Sequence, residues 1–439
     1  MRHILLPVFA TFLFIPFKGL TQKSQDSILQ PATINECIQY ALKHQPVIHQ
    51  SLIIEQITEE TIKTKLADWY PQLNLNANIQ NNIQLPTSFF GGNYVNTGTH
   101  NISGLNVTAT QNIFNRDAML AGRTATDVRR QVKQITDSNR IGVAANVGKA
   151  FYEVLLTQKQ IDVLDEEIVR LNRSLKDAYN QYKGGIVDKT DYKRATISLN
   201  NATAQRKQGN GVLTAKYYVL KQLMGYPDSA SLTLRYDSTQ LETEAQLDTS
   251  QLINYDNRIE YKILQTQKRL QEYNLKYYKW GFLPTVSAYG AYNLNYFNNS
   301  LGKLYSQSFP NSNIGLQFSF PIFQGFKRIH QVKSAELQID FVDWGLINLK
   351  SRIVSEYAQA LALYKGNLAN YDALKENVQL ANEVYTVIRL QYQQGIKTYL
   401  EVIIAESDLL TSQLNYYTAL YQLLQSKIDV QKALGIIQY

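Results

Sequence analysis

The chain is written twice, at an interval of about 210 residues, and this duplication limits its fold more than any other feature. Tyr182, Gly185 and Gly225 recur as Tyr392, Gly395 and Gly435, each displaced by 210. Apolar positions Ile161, Leu164, Ile168, Leu171, Leu175, Ala178 and Tyr182 advance in steps of 3, 4, 3, 4, 3, 4. Shifted by the same interval, those steps give Tyr371, Leu374, Val378, Ala381, Tyr385, Ile388 and Tyr392. Upstream, Trp69-Tyr70-Pro71 answers to Trp280–Pro284 and Ile113-Phe114 to Ile322-Phe323, at intervals of 213 and 209. The period is too long for a solenoid and describes a duplicated half-molecule. Function has to arise from what two similar halves build together.

The first residues carry a different message. Met1-Arg2-His3 precedes an apolar run from Ile4 to Phe17, and the small residue Gly19 closes it. A charged start, a short greasy core and a small-residue exit predict a secretory signal over residues 1–21. The one cysteine, Cys37, excludes an internal disulfide and is expected to pack on a helix. A net charge of +8, which falls to +6 once Arg2 and Lys18 are removed, is scattered in runs no longer than two. Nucleic acid is therefore not implied as a partner. Thirty tyrosines suit surfaces that are half apolar and half wet. No later segment reaches 18 uncharged apolar residues, so any membrane contact has to be made by strands.

Residues 33–45 predict a short amphipathic helix with Ile34, Ile38, Ala41 and Leu42 on one face, and Val47 to Trp69 a second helix that Pro71 ends. The period then changes. Leu73-Asn74-Leu75-Asn76-Ala77-Asn78-Ile79-Gln80 alternates apolar and amide side chains, as a strand with one greasy and one wet face does. With 102–113, this strand (about 72–84) forms a hairpin whose connection, Pro86 to His100, reads as a loop. The second half repeats the pair at about 284–297 and 313–321, with Asn299, Gly302 and Pro310 in the loop between. Asn115 to Tyr182 contains no proline and keeps a helical pattern for 68 residues, roughly 100 Å at 1.5 Å per residue. Gly325 to Tyr392 matches it, and Asp188 to Met224 and Thr398 to Leu434 return. The seam spacing makes these antiparallel coiled-coil hairpins over 115–224 and 325–435. The domains are thus a first repeat (33–226), a polar and irregular linker (229–246) and a second repeat (247–437).

Four strands per chain cannot close a barrel, and an open sheet edge cannot sit in lipid. Copies of the chain must combine, a dimer supplying eight strands and a trimer twelve.

At these residues the chain resembles the TolC-family outer-membrane factors. Trp280-Gly281-Phe282-Leu283-Pro284 leads into a strand, and Pro321-Ile322-Phe323-Gln324-Gly325 leads into a long helix. The run from Tyr392 through Gln393-Gln394-Gly395-Ile396-Lys397-Thr398-Tyr399-Leu400-Glu401 to Val402 marks the distal tip. The resemblance spans about Pro31 to Ile437. It implies a homotrimer that joins a 12-stranded outer-membrane barrel to an α-helical barrel crossing the periplasm. The fold expected is therefore mainly α with a membrane β-barrel portion. The implied partners are outer-membrane lipid, a periplasmic adaptor and an inner-membrane transporter, and the implied role is the exit duct of an efflux or type I secretion system. By the same resemblance Tyr392 and Lys397 tie one hairpin to Thr190 and Asp191 of the other, holding the channel shut. Lys397 stands where arginine is common in the family, so a forked contact is lost. Glu401 matches the first position of an acidic selectivity ring, while Ile404 occupies the second.

Residue chemistry offers plainer roles for the same positions. Asp188 and Thr398 read as N-caps with Asp191 and Glu401 at the third helical position, and Thr398-to-Glu401 fits a capping box. Capping alone, and capping combined with a pore role, both stand. Gly185 and Gly395 permit left-handed turns, and with Ile186 and Ile396 they are the candidate adaptor-docking tips. Catalysis and cofactors are not expected. Gly142 to Lys149 has the wrong spacing for a phosphate loop, and His44 and His49 lie five apart without a third metal ligand. Glu166-Glu167 reads as solvated coiled-coil surface. The rival readings are an exported coiled-coil interaction protein without a pore, and a binding protein or enzyme.

Overall fold

The computed structural model describes residues 31–185, 188–236 and 238–438, so the expected signal at 1–21 lies outside the described residues. Two short helices open the described chain. α1 (Ile34–His44) starts at a capping box between Thr33 and Glu36, and α2 (Pro46–Leu66) has proline at its first position, where no N–H is needed. The first half continues through β1 (Gln72–Asn81), β2 (Thr87–Phe90), β3 (Asn93–Asn96) and β4 (Asn101–Phe114) into α3 (Arg116–Lys183) and α4 (Lys189–Met224). After α5 (Ser238–Glu244) the second half runs α6 (Ile259–Lys279), β5 (Thr285–Asn298), β6 (Ser308–Ser319), α7 (Lys327–Gln393) and α8 (Tyr399–Leu434). α3 and α7 hold 68 and 67 residues, roughly 100 Å each.

β1, β4, β5 and β6 form one antiparallel sheet in that order. Its register keeps the alternation in step across all four strands. Leu75 faces Val107, which faces Tyr292; Leu105 faces Leu294; Ala288 faces Leu316. One residue along, Asn76, Asn106, Asn293 and Asn311 stand in a row on the opposite face. Asn106 donates its amide to Asn293, and Asn293 donates to Asn311 at 2.7 Å. A one-residue slip would move every leucine to the amide face, so this pattern pins the register. The strand ends differ from expectation. β1 stops at Asn81, the 86–100 connection carries the extra hairpin β2–β3, and β6 begins at Ser308, so Pro310 lies in a strand. β6 is an edge strand, where a residue without an N–H is tolerated. The described chain therefore has six strands, four of them in the large sheet.

Below the sheet the core gathers where α1, α3, α4, α7 and α8 meet, around Cys37, Ala41, Phe151, Leu155, Leu220 and Tyr421, all buried. Gly225 and Gly435 show why the duplication kept glycine here. Both cap a returning helix with positive φ, 66° and 72°, and an added Cβ would lie 2.6 Å from the His44 carbonyl oxygen or 2.7 Å from that of Asn257. The linker is more ordered than its composition suggests. Leu232, Leu241 and Ala245 are buried, and the Tyr364 hydroxyl donates to Ala245 O at 3.0 Å. Glu242 accepts from Lys375 (2.6 Å) and Tyr416 (2.7 Å), which ties the linker to α7 and α8. Ala230, Leu234 and Tyr236 pack against the same core, so the linker is held by the helical wall it lies on.

Candidate functional site

The two helical hairpins turn at the end of the molecule farthest from the sheet. In the first, α3 stops at Lys183, Gly185 takes φ 71°, and Asp188 caps α4 by accepting from Thr190 N (2.7 Å) and Thr190 Oγ1 (2.6 Å). Those bonds lower the Asp188 carboxyl below its usual range. In the second, Gly395 takes φ 74°, its N–H donating to Tyr392 O (3.0 Å) and that of Ile396 to Gln391 O (2.9 Å). Ile396 is left exposed, and Ile186, its counterpart, lies outside the described residues.

The capping box expected at Thr398 and Glu401 is present. Glu401 Oε2 accepts from Thr398 N (2.9 Å) and Thr398 Oγ1 (3.0 Å), while Oε1 accepts from Lys397 Nζ at 2.6 Å. The Lys397 ammonium, followed by the Thr398 donors, holds the carboxyl down at about 2. Asp191, the repeat equivalent of Glu401, is placed differently. It closes no capping box with Asp188, which accepts from Thr190; its charge instead helps raise the phenols of Tyr392 and Tyr399, chiefly raised by burial.

The structure thus brings together only part of the expected latch. Lys397 is committed to Glu401 and Thr190 to Asp188, each within its own hairpin. Tyr392 does cross between hairpins, but its hydroxyl donates to Gln181 Oε1 at 2.7 Å. Around it, Ala178, Ala195, Tyr399 and Val402 are buried, with Leu175, Tyr192, Ile388 and Ile403 packed against them. Two alanines on facing helices let the backbones approach and leave room for the tyrosine rings. A cavity of about 270 Å³ opens beside Tyr392, lined among others by Ser174, Asp177, Gln181 and Arg389.

One layer farther from the tip lies a polar cluster that the sequence reading missed. Glu406 is 1% exposed; its Oε1 accepts from Ser174 Oγ (3.0 Å) and Tyr385 Oη (3.4 Å), and its Oε2 has no partner among the described residues. Burial, and then the Glu167 charge, push the Glu406 carboxyl up to about 7. Glu167 is not solvated surface, as expected for the Glu166-Glu167 pair, but 3% exposed and paired with Arg170 at 2.8 Å. It sits one residue before the seam position Ile168, close enough to be drawn inside, and Glu166 remains outside. Glu406 had a legible signal: Tyr399, Val402, Glu406 and Leu409 advance by 3, 4, 3, so a glutamate occupies a seam position. Among the described residues there is no group of three metal-ligating side chains, and no helix is long and apolar enough to cross a membrane.

Comparison with known proteins places this geometry. Residues 37–226 and 262–436 match the Outer membrane efflux protein family. The chain is 22% identical to outer membrane protein TolC of Escherichia coli (strain K12), over 95% of this chain and 85% of that protein. It is 20% identical to the alkaline protease secretion protein AprF of Pseudomonas aeruginosa, over 66% of this chain and 59% of that one. Among solved structures, CusC superposes with a TM-score of 0.75 at 17% identity, covering 94% of this chain and 95% of that one. The outer membrane protein VceC of Vibrio cholerae gives 0.73 at 16%, covering 92% and 96%.

Proposed function

The chain belongs to the outer membrane efflux protein family, the exit ducts of the outer membrane, and on that premise we propose that three copies join edge to edge into one passive conduit. The observation that carries this reading is the four-stranded sheet. Its apolar residues share one face, its amides share the other, and β1 and β6 are both left with an open edge. In hydrocarbon each unpaired backbone group costs several kcal/mol, so the edges must find partners in neighbouring copies. Three copies give twelve strands with the amide face lining a wet lumen, and the helical hairpins continue the tube below. Residues 1–21 act as the export signal, and 33–226 and 247–437 as the two repeats about the 229–246 linker. The chain needs no cofactor of its own, because a pump supplies the energy.

The helical tips serve as the gate. Tyr392 supports this assignment, since it bonds across the two hairpins. Lys397, Thr190 and Asp191 act with it once Glu401 and Asp188 release the first two, which makes closure a sum of weak contacts. Gly185, Ile186, Gly395 and Ile396 are the docking points for a periplasmic adaptor that couples the duct to an inner-membrane transporter. Exposure of Ile396 at the far end supports this. Glu401 is the acidic residue of the entrance. A coiled-coil protein without a pore has no use for an amide-faced spanning sheet.

The test is reconstitution. Purified protein in detergent should scatter light as a trimer and should form ion-conducting pores in planar bilayers. A stable monomer without conductance overturns the reading.

A further inference from the structure

The junction between sheet and helices carries two arginines that form no ion pair among the described residues, although the Asp117 carboxylate lies near the Tyr277 ring that one of them covers. Arg116 is the first residue of α3, and Arg123 follows it two turns later on the same side. The Arg116 guanidinium stacks over the Tyr277 ring at 4.5 Å, and that of Arg123 over Trp280 at 4.8 Å. Neither pairs with a carboxylate among the described residues. The next three arginines along the same helix do: Arg129 with Glu59, Arg130 with Asp127 and Arg140 with Asp137. The change falls where the helix nears the strands. Gly281 is buried against Arg116, whose Nη1 would lie 2.6 Å from a Cβ added there, so the turn is shaped to seat this side chain.

The level of these side chains is set by the sheet. Tyr70, Phe282 and Phe323 stand at three strand–helix junctions and are all exposed, as amphipathic and aromatic residues are at the edge of a lipid core. Arg116 and Arg123 are separated by about 10 Å along the axis, but the rings they cover, Tyr277 and Trp280, are only three residues, about 4.5 Å, apart. The two guanidinium groups therefore converge to within a headgroup layer about 5–7 Å thick. A guanidinium fork matches two phosphate oxygens, and stacking on an aromatic ring fixes its plane without consuming its donors.

We propose that Arg116 and Arg123, held over the rings of Tyr277 and Trp280, bind the phosphate of a phospholipid headgroup in the leaflet at the helical end of the sheet. The proposal rests on the outer-membrane reading above and adds a ligand to it. The lipid would hold the sheet at a fixed depth and brace α3 against α6.

The experiment is native mass spectrometry of the detergent-solubilised trimer titrated with phosphatidylglycerol. Wild type should retain bound lipid, and Arg116→Gln/Arg123→Gln should lose roughly tenfold or more in apparent affinity. Lys193→Gln/Lys207→Gln, which removes equal charge from α4, should bind as wild type does. Wild-type retention by the arginine variant, or equal loss by the lysine variant, overturns the proposal. Retention of inorganic phosphate in place of lipid overturns it too. If the double variant fails to assemble, Arg123→Gln alone must still weaken lipid binding. The trimer peak in the same spectra reports separately on the channel reading.

Discussion

Glu406 on α8 and Ser174 on α3 meet across the two halves of the duplicated chain, the serine hydroxyl donating to the buried carboxylate at 3.0 Å. This bond places an ionisable group inside the seam that has to part if the tips are to separate. Around it stand Glu167 and Arg170 on α3 and Tyr385 on α7, with Arg389 beside Tyr385 and Tyr399 close by on α8 itself.

A pH dependence follows. Packed, the Glu406 carboxyl is pushed up to about 7; freed into water it would return to the ordinary glutamate value of 4.5. The raised value means that the packed state binds the proton more tightly. Its advantage is complete below 4.5 and is lost as pH rises through about 7, a swing of roughly 3 kcal/mol at most. Single-channel recordings should show a tighter closed state in mildly acidic than in mildly alkaline buffer. Glu406→Gln should flatten that profile; an unchanged profile in the variant removes Glu406 from the response.

The tip contact of Tyr392 makes a second prediction. Its hydrogen bond to Gln181 contributes about 1 kcal/mol. Tyr392→Phe should therefore raise the conductance modestly, and adding Lys397→Ser should raise it further. A conductance that neither change moves would place the gate elsewhere.

Glu401 is held ionised to about 2 by Lys397 and the Thr398 donors. A depressed value contributes stability above the ordinary glutamate value of 4.5 that is lost as pH falls through about 2. Mild cation preference should then persist unchanged across the physiological range, and Glu401→Gln should abolish it. Reversal potentials that ignore the substitution would leave Glu401 a helix cap only.

On the sheet, Leu75 and Asn76 are neighbours on opposite faces. Lysine for Leu75 should cost about 2–4 kcal/mol near mid-bilayer, and lysine for Asn76 much less. Heat-resistant trimer on gels is the readout, and equal defects would reverse or erase the assignment of faces.

Replacing Gly225 by alanine tests the duplicated cap. Positive φ and a 2.6 Å approach to the His44 carbonyl predict a loss above about 1 kcal/mol, seen as a lower melting temperature. Alanine at Gly211, where an added Cβ meets nothing, is the control.

Local periodicity settled a great deal by itself. The 3-4 seam from Ile161 to Tyr182, repeated 210 residues on, already implied two long hairpins, and the Leu-Asn alternation of 73–80 implied a sheet with one greasy face. Both are written in neighbouring residues, because the helix and strand periods act over a few positions at a time. The Thr398–Glu401 box was legible for the same reason. What the tertiary structure decided is what depends on distance. Only the register across four strands lines Asn76, Asn106, Asn293 and Asn311 into one row. Only the packing of α3 on α8 draws Glu167 and Glu406 into one buried layer. Lys397 turns to Glu401 rather than to the other hairpin because a partner one helical turn away needs less chain ordering than a distant one. Burial and pairing are properties of neighbours in space, and those neighbours lie up to hundreds of residues apart.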